Sequence, residues 1–166
     1  MFDVKSITSR KPTDCGATCL QMLLKYYGTD VDLDTLSREC GTSIGGCSAA
    51  DIMRVGNLHG LTMHAYNMDV DELIRQDRPS IIWWKRNHWC VCCGVDNTGK
   101  VVICNPDRGR FGMPKRTFAA MYSGIALFDG VPETQPPGET DVEQLQNQVS
   151  MLTECLLEMS EIVYGG

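Results

Sequence analysis

The chain of 166 residues is short of several things. No apolar run reaches the ~20 residues that span a bilayer, which excludes a membrane helix of ordinary length. The start, Met1-Phe2-Asp3-Val4-Lys5-Ser6, has no apolar core of the kind a secretory signal needs, so the expected setting is the reducing cytoplasm. Basic residues are in the minority and the net charge is -6, which argues against nucleic acid as a partner. The glycine-rich stretch Gly41 to Gly46 has no Lys-Ser or Lys-Thr after it and no strand before it, so it is not a phosphate loop. Histidine is scarce, with three in all. Cysteine is the exception, with nine. An odd number cannot pair fully within one chain, and the spacing is not that of a disulfide scaffold. Cys90, Cys92, Cys93 and Cys104 are the one conceivable zinc set, but no pair of CxxC knuckles supports it. The expectation is no metal and no cofactor.

What is present organises itself around Lys11-Pro12-Thr13-Asp14-Cys15-Gly16. A loop ends there and a helix begins, with Thr13 or Asp14 as cap. Cys19, Leu20, Leu23, Leu24 and Tyr27 recur at helical steps, and Gly28 stops the run. A thiol at a helix N-terminus lies in the positive end of the peptide dipole, a field that favours thiolate and suits a nucleophile. Gly16 is expected to leave room beside the sulfur for a substrate carbonyl.

Further along, Asp32 caps a short helix with Leu33 and Leu36 inward. Ser48 caps another with Ile52, Val55 and Leu58 on one face. Leu61 to Tyr66 reads as a short strand and Asp69 to Gln76 as a helical turn or two. After Pro79 come strands at Ser80 to Trp84, His88 to Val95 and Val101 to Cys104, the last two joined by the turn Asp96-Asn97-Thr98-Gly99. Arg108-Gly109-Arg110 reads as a turn, Pro114 to Tyr122 as a helix and Gly124 to Phe128 as a final strand. Helices first and an antiparallel sheet second make an α+β layout. Residues 1–129 form this domain and 130–140 a Pro/Gly linker. Residues 141–166 read as a coiled-coil helix: Val142, Leu145, Val149, Leu152, Leu156, Met159 and Val163 step by three and four. A lone helix of this kind needs its stripe buried, so self-association through 141–163 is expected.

A thiol nucleophile needs a base and a group that orients the base. His59 sits at a helix end and His64 in a strand pointing outward. His88 opens a strand at a sheet edge, and Asn105 closes the next strand of the same hairpin. Cys15, His88 and Asn105 therefore form a candidate Cys-His-Asn site.

These residues resemble the double-glycine, bacteriocin-processing cysteine peptidases, papain-like domains found at the N-termini of peptide-exporting ABC transporters. The resemblance runs from about Thr8 to Asp129. It rests on Asp14-Cys15-Gly16-Ala17-Thr18-Cys19-Leu20-Gln21-Met22 with Lys25-Tyr26-Tyr27-Gly28, and on Gly45-Gly46-Cys47-Ser48. It continues through Pro79-Ser80-Ile81-Ile82, His88-Trp89-Cys90-Val91, Asn105-Pro106-Asp107-Arg108-Gly109 and Ser123-Gly124-Ile125-Ala126-Leu127. The resemblance implies a papain-like fold, Cys15 as nucleophile, His88 as base and Asn105 as the third member. It also implies a peptide partner with small residues at the scissile bond, cleaved after a Gly-Gly-like site. The pattern departs twice. The family usually carries Asp where this chain has Asn105. It also carries an oxyanion-hole Gln six residues before the cysteine, where this chain has Ser9. Loss of such a donor typically costs ~100–1000-fold in rate. Ser9, Thr13 and Gly16 are left as the oxyanion or substrate-binding candidates, with the backbone N–H of Cys15. The alternative is a weakly active or inactive peptidase-like domain, an oligomeric peptide-binding or structural component of a larger, phage-like assembly. Amidase or acyltransferase chemistry by the same thiol is a third reading. The terminal Gly165-Gly166 resembles a cleavage product or internal pseudo-substrate.

Overall fold

A computed structural model describes residues 1–130. The linker and coiled-coil expectations for 131–166 lie outside the described residues. The lead-in, residues 1–11, contains no helix or strand, and the backbone N–H of Phe2 donates to the Cys93 carbonyl at 2.7 Å. The Arg110 guanidinium donates to the carbonyls of Val4 (2.6 Å) and Phe2 (3.1 Å). These bonds tie the N-terminus across the sheet. A 3-10 turn, Pro12–Asp14, leads into α1 (Cys15–Tyr26), followed by α2 (Leu33–Glu39) and α3 (Ala49–Leu58). Then come β1 (Met63–Asn67), α4 (Val70–Ile74), β2 (Ser80–Trp84), β3 (His88–Val95), β4 (Val101–Asn105), β5 (Gly109–Met113), α5 (Lys115–Met121) and β6 (Tyr122–Asp129).

The six strands form one antiparallel sheet in the order β1-β6-β2-β3-β4-β5. The α+β layout is as expected. β2 to β4 are buried on both faces because two apolar layers flank the sheet, which is why they read as unbroken apolar runs. Ile81, Val91, Cys93, Val102, Cys104 and Leu127 face α1 to α3. Ile82, Cys90, Cys92, Ile103, Ala126 and Phe128 face Leu73 of α4 and Phe118 of α5. This alternation disposes of the zinc alternative. Cys90 and Cys92 lie in one layer and Cys93 and Cys104 in the other, so the four sulfurs cannot converge.

Three expectations are corrected. Asp14 takes the N-cap position of α1 but makes no side-chain cap, because the 3-10 turn holds it at φ -85, ψ 4, away from the extended backbone a capping side chain needs. Its carboxylate accepts from the Ser37 hydroxyl at 3.2 Å instead. Leu58 is 65% exposed, since it falls a step round α3 from the buried stripe of Ile52, Val55 and Gly56. The segment Gly109–Met113 is not merely a turn: it is the edge strand β5, paired with β4 from Val101↔Met113 to Asn105↔Gly109. Gly-Arg-Phe-Gly-Met has no β-branched residue and no clear alternation, so the sequence hides it. The caps at Asp32 and Ser48 are as expected, the second as a full capping box with Asp51.

One turn is unusual. β2 and β3 are joined through Lys85 and Arg86, both in the left-handed region at φ 51 and 60. Two consecutive left-handed residues match the twist of a tight hairpin, which ordinarily selects Asn and Gly. Here Lys85 N–H donates to the Met121 carbonyl at 2.8 Å and Arg86 N–H to the Ser123 hydroxyl at 3.0 Å.

Candidate active site

Cys15 is the first residue of α1, His88 the first of β3 and Asn105 the last of β4. The β3–β4 register brings the latter two together. Val91 pairs with Cys104, and one step further Asn105 stands opposite Cys90, two residues from His88 on the same face. The His88 Nε2–H donates to Asn105 Oδ1 at 3.1 Å. The Asp107 N–H donates to the same Oδ1 at 2.8 Å, which fixes that atom as the acceptor and the ring tautomer as Nε2–H. Nδ1 is then the ring atom left for the Cys15 thiol, whose nearness helps to raise the His88 pKa. Burial pulls the imidazole pKa down. The hydrogen bonds to Cys15 and Asn105 and the charges of Cys15 and Asp107 outweigh it, so the net shift is upward. A thiolate–imidazolium pair needs that direction. The structure thus brings Cys15, His88 and Asn105 into one line. His59 is bound to Glu39 (2.6 Å) and His64 is exposed on β1, both outside the line.

The thiol side is packed. Cys15 is 6% exposed. A Cβ on Gly16 would meet Cys47 Sγ at 2.3 Å, Ile52 Cδ1 at 3.1 Å and Trp89 Cδ1 at 3.2 Å. The room expected there for a substrate carbonyl is therefore filled, and glycine is required because α1 lies close against Cys47 and Trp89. The Trp89 indole N–H donates to the Cys47 carbonyl at 3.1 Å.

Ser9 is not aimed at an oxyanion position. Its N–H donates to the Pro106 carbonyl at 2.9 Å, and its hydroxyl contacts that carbonyl at 3.5 Å and donates to Asp107 Oδ1 at 3.3 Å. Thr13 is half-buried in the 3-10 turn, with its carbonyl facing Gly46. Gln21, the one Gln near the thiol in sequence, donates to the Val31 carbonyl at 3.0 Å and so points its amide away from the thiol. Asp107 is the site residue that sequence pattern does not reveal at first sight: its Oδ2 lies 3.6 Å from His88 Nε2. The antiparallel register, continued past Asn105, sets 107 opposite 88 and is the signal that could have found it. Beside this rim opens a cavity of ≈ 460 Å³, with Trp84, Phe111, Met113 and Met121 as its apolar wall and Lys85, Arg108 and Asp107 among its charged lining.

Among the described residues, no group of three or more His, Cys, Asp or Glu is arranged to hold a metal ion, and no helix is long and apolar enough to cross a membrane.

The family model of the peptidase C39 family matches residues 3–130. The probable microcin-H47 secretion/processing ATP-binding protein of Escherichia coli is 28% identical over 148 residues, covering 89% of this chain and 20% of that protein. A lactococcin transport/processing ATP-binding protein of Lactococcus lactis is 32% identical over 148 residues, covering 83% of this chain and 21% of that protein. The chain thus spans about a fifth of the length of these curated relatives. Among solved structures, a double glycine motif protease from an AMS/PCAT transporter, in complex with the leader peptide, is similar at a TM-score of 0.73 and 29% identity. That likeness covers 76% of this chain and 91% of the other. The peptidase domain of Streptococcus ComA, at TM-score 0.69 and 23% identity over 75% of this chain and 96% of that one, shares the fold.

Proposed function

The chain belongs to the peptidase C39 family, and on that premise we propose that it is a cysteine peptidase of double-glycine type, cutting a peptide or leader after a Gly-Gly-like site. The observation that carries the reading is the His88 ring, with Nε2–H on Asn105 Oδ1 and the Cys15 thiol near enough to raise its pKa. Cys15 gives its proton to His88 and attacks the scissile carbonyl carbon. The C–S bond forms and the carbonyl electron pair moves onto oxygen, where the Cys15 N–H at the helix start can donate. Collapse breaks the C–N bond while the His88 imidazolium protonates the leaving amine. A water, deprotonated by His88, then attacks the thioester and releases the acid and the thiol. Small residues at the cut suit a nucleophile only 6% exposed, because a bulky side chain there meets the walls.

A structural neighbour and the homologues both support a peptide substrate: the neighbour is a protease in complex with a leader peptide, and the homologues are processing proteins. Work in the cytoplasm belongs to the same reading, since the eight described cysteines are all free. So does self-association through 141–163, where a lower sedimentation mass after deletion of 131–166 is expected and an unchanged mass removes it. The comparisons lend no support to the inactive-component alternative. The test of function is cleavage of a synthetic peptide carrying an amphipathic leader that ends in Gly-Gly, read by mass spectrometry. A cut after the second Gly, absent in Cys15→Ala with unchanged circular dichroism, is expected. A cut that survives Cys15→Ala, or no cut at the Gly pair, overturns it.

A further inference from the structure

We infer that Asp107 is a positioning residue of this site, its carboxylate supplying the imidazolium with the negative charge that Asn105 lacks, and that Ser9 holds that carboxylate in place. The inference rests on the proposed role of the Cys15–His88 pair. An Asn in the third place can orient a neutral ring, but it offers only a dipole when the ring becomes charged. In this chain the missing charge stands close by. Asp107 Oδ2 is 3.6 Å from His88 Nε2, behind the 3.1 Å hydrogen bond from Nε2 to Asn105 Oδ1. The arrangement is built. The Asp107 N–H closes onto Asn105 Oδ1 at 2.8 Å, so the orienting amide and the charged side chain belong to one short turn. The Ser9 hydroxyl donates to the other carboxylate oxygen of Asp107 at 3.3 Å, and the Ser9 N–H anchors the same turn through the Pro106 carbonyl at 2.9 Å. The two departures from the family pattern, at Ser9 and at Asn105, are thus connected through Asp107. A serine in place of the longer Gln keeps its hydroxyl back on the 106–107 turn, and the charge moves from the third-member position to a residue two further on.

The other ionisable groups facing His88 are the Cys15 thiol, from α1, and the cations Lys85 and Arg108, which line the neighbouring cavity. The Asp107 side chain is 51% exposed, and the effect is accordingly that of a half-solvated ion pair.

The experiment reads His88 directly, by NMR titration of its ring Cε1–H in the whole chain, beside the pH dependence of Cys15 alkylation by iodoacetamide. Asp107→Asn preserves shape and the backbone N–H. It is expected to lower the His88 pKa by roughly half a unit and to shift the alkaline end of the Cys15 reactivity profile down equally. Adding Asn105→Asp to that variant is expected to restore both. Asp107→Glu covers a local rearrangement in Asp107→Asn: it keeps the charge and should keep the titration. An unmoved His88 titration in Asp107→Asn, with Cys15 still dependent on His88 in His88→Ala, overturns this inference and leaves the proposed function standing. Cys15 reactivity that is indifferent to His88→Ala overturns both.

Discussion

The thiol and the imidazole reach the same cleft by different means. On the thiol side, Cys15, Gly16, Cys47, Ile52 and Trp89 press against one another with no spare volume at Gly16. On the imidazole side, half-buried His88 and Ser9, buried Asn105 and exposed Asp107 are joined by hydrogen bonds at a rim that grades into solvent. Packing is steep and short-ranged, so the thiol side holds position at the expense of tolerance. Hydrogen-bonded polar groups at a rim adjust more easily, and their replacement changes charge and pKa before it changes the fold. The thiol is fixed by volume and the imidazole is tuned by electrostatics.

The largest effect that can break this contrast is His88→Ala. General acid–base catalysis is typically worth ~100–10,000-fold, so cleavage should fall by that order while the melting temperature stays within a degree or two. A melting point that drops with the activity would mean that the rim also carries the fold. Next is Gly16→Ala. The added methyl overlaps Cys47 Sγ, a kind of overpacking that costs about 1–3 kcal/mol, so the melting temperature should fall by several degrees and cleavage with it. The double variant with Cys47→Ala removes the obstructing sulfur and should recover much of the loss. An unaltered melting curve for Gly16→Ala would show that the thiol side is looser than described.

Asn105→Asp sharpens the comparison from the rim. A carboxylate in place of the amide favours the imidazolium, so the His88 pKa, already above its ordinary value, should rise further by about one unit. The sign follows from which form is needed. The proposed mechanism requires protonated His88, so the alkaline limb of kcat/KM should move to higher pH, read from a pH–rate profile with little change in melting. A limb that stays put would mean the profile reports another group. Smallest is Ser9→Ala, which frees Asp107 on one side. A downward shift of that limb by a few tenths of a unit is expected, and an upward shift would contradict the link.

Much of this was legible in the chain. The helical spacing from Cys19 to Leu24 marks α1, and the Asp96-Asn97-Thr98-Gly99 turn marks the hairpin that sets His88 beside Asn105. Ser48 announces α3 through its capping box. What escaped has a common cause. β5 lacks strand-forming residues and exists because β4 offers it an edge. Leu58 looks inward by spacing but sits at the margin of its stripe. The filled space at Gly16 depends on a sulfur from Cys47, and the Ser9–Asp107 contact spans 98 positions. Local pattern reports local geometry, and these features depend on which distant surfaces meet.

The Lys85–Arg86 turn has a practical corollary. Side chains held in the left-handed region cost roughly 1–2 kcal/mol each, and both lie on the loop that delivers His88 to the cleft. Lys85→Asn combined with Arg86→Gly installs the residue pair that such a turn prefers. The backbone N–H groups that reach Met121 and Ser123 are kept, and neither apolar layer is touched. The double change should therefore raise the melting temperature by a few degrees in calorimetry. For a preparation meant to be stored or shipped, this corner offers shelf life without altering sulfur, ring or amide.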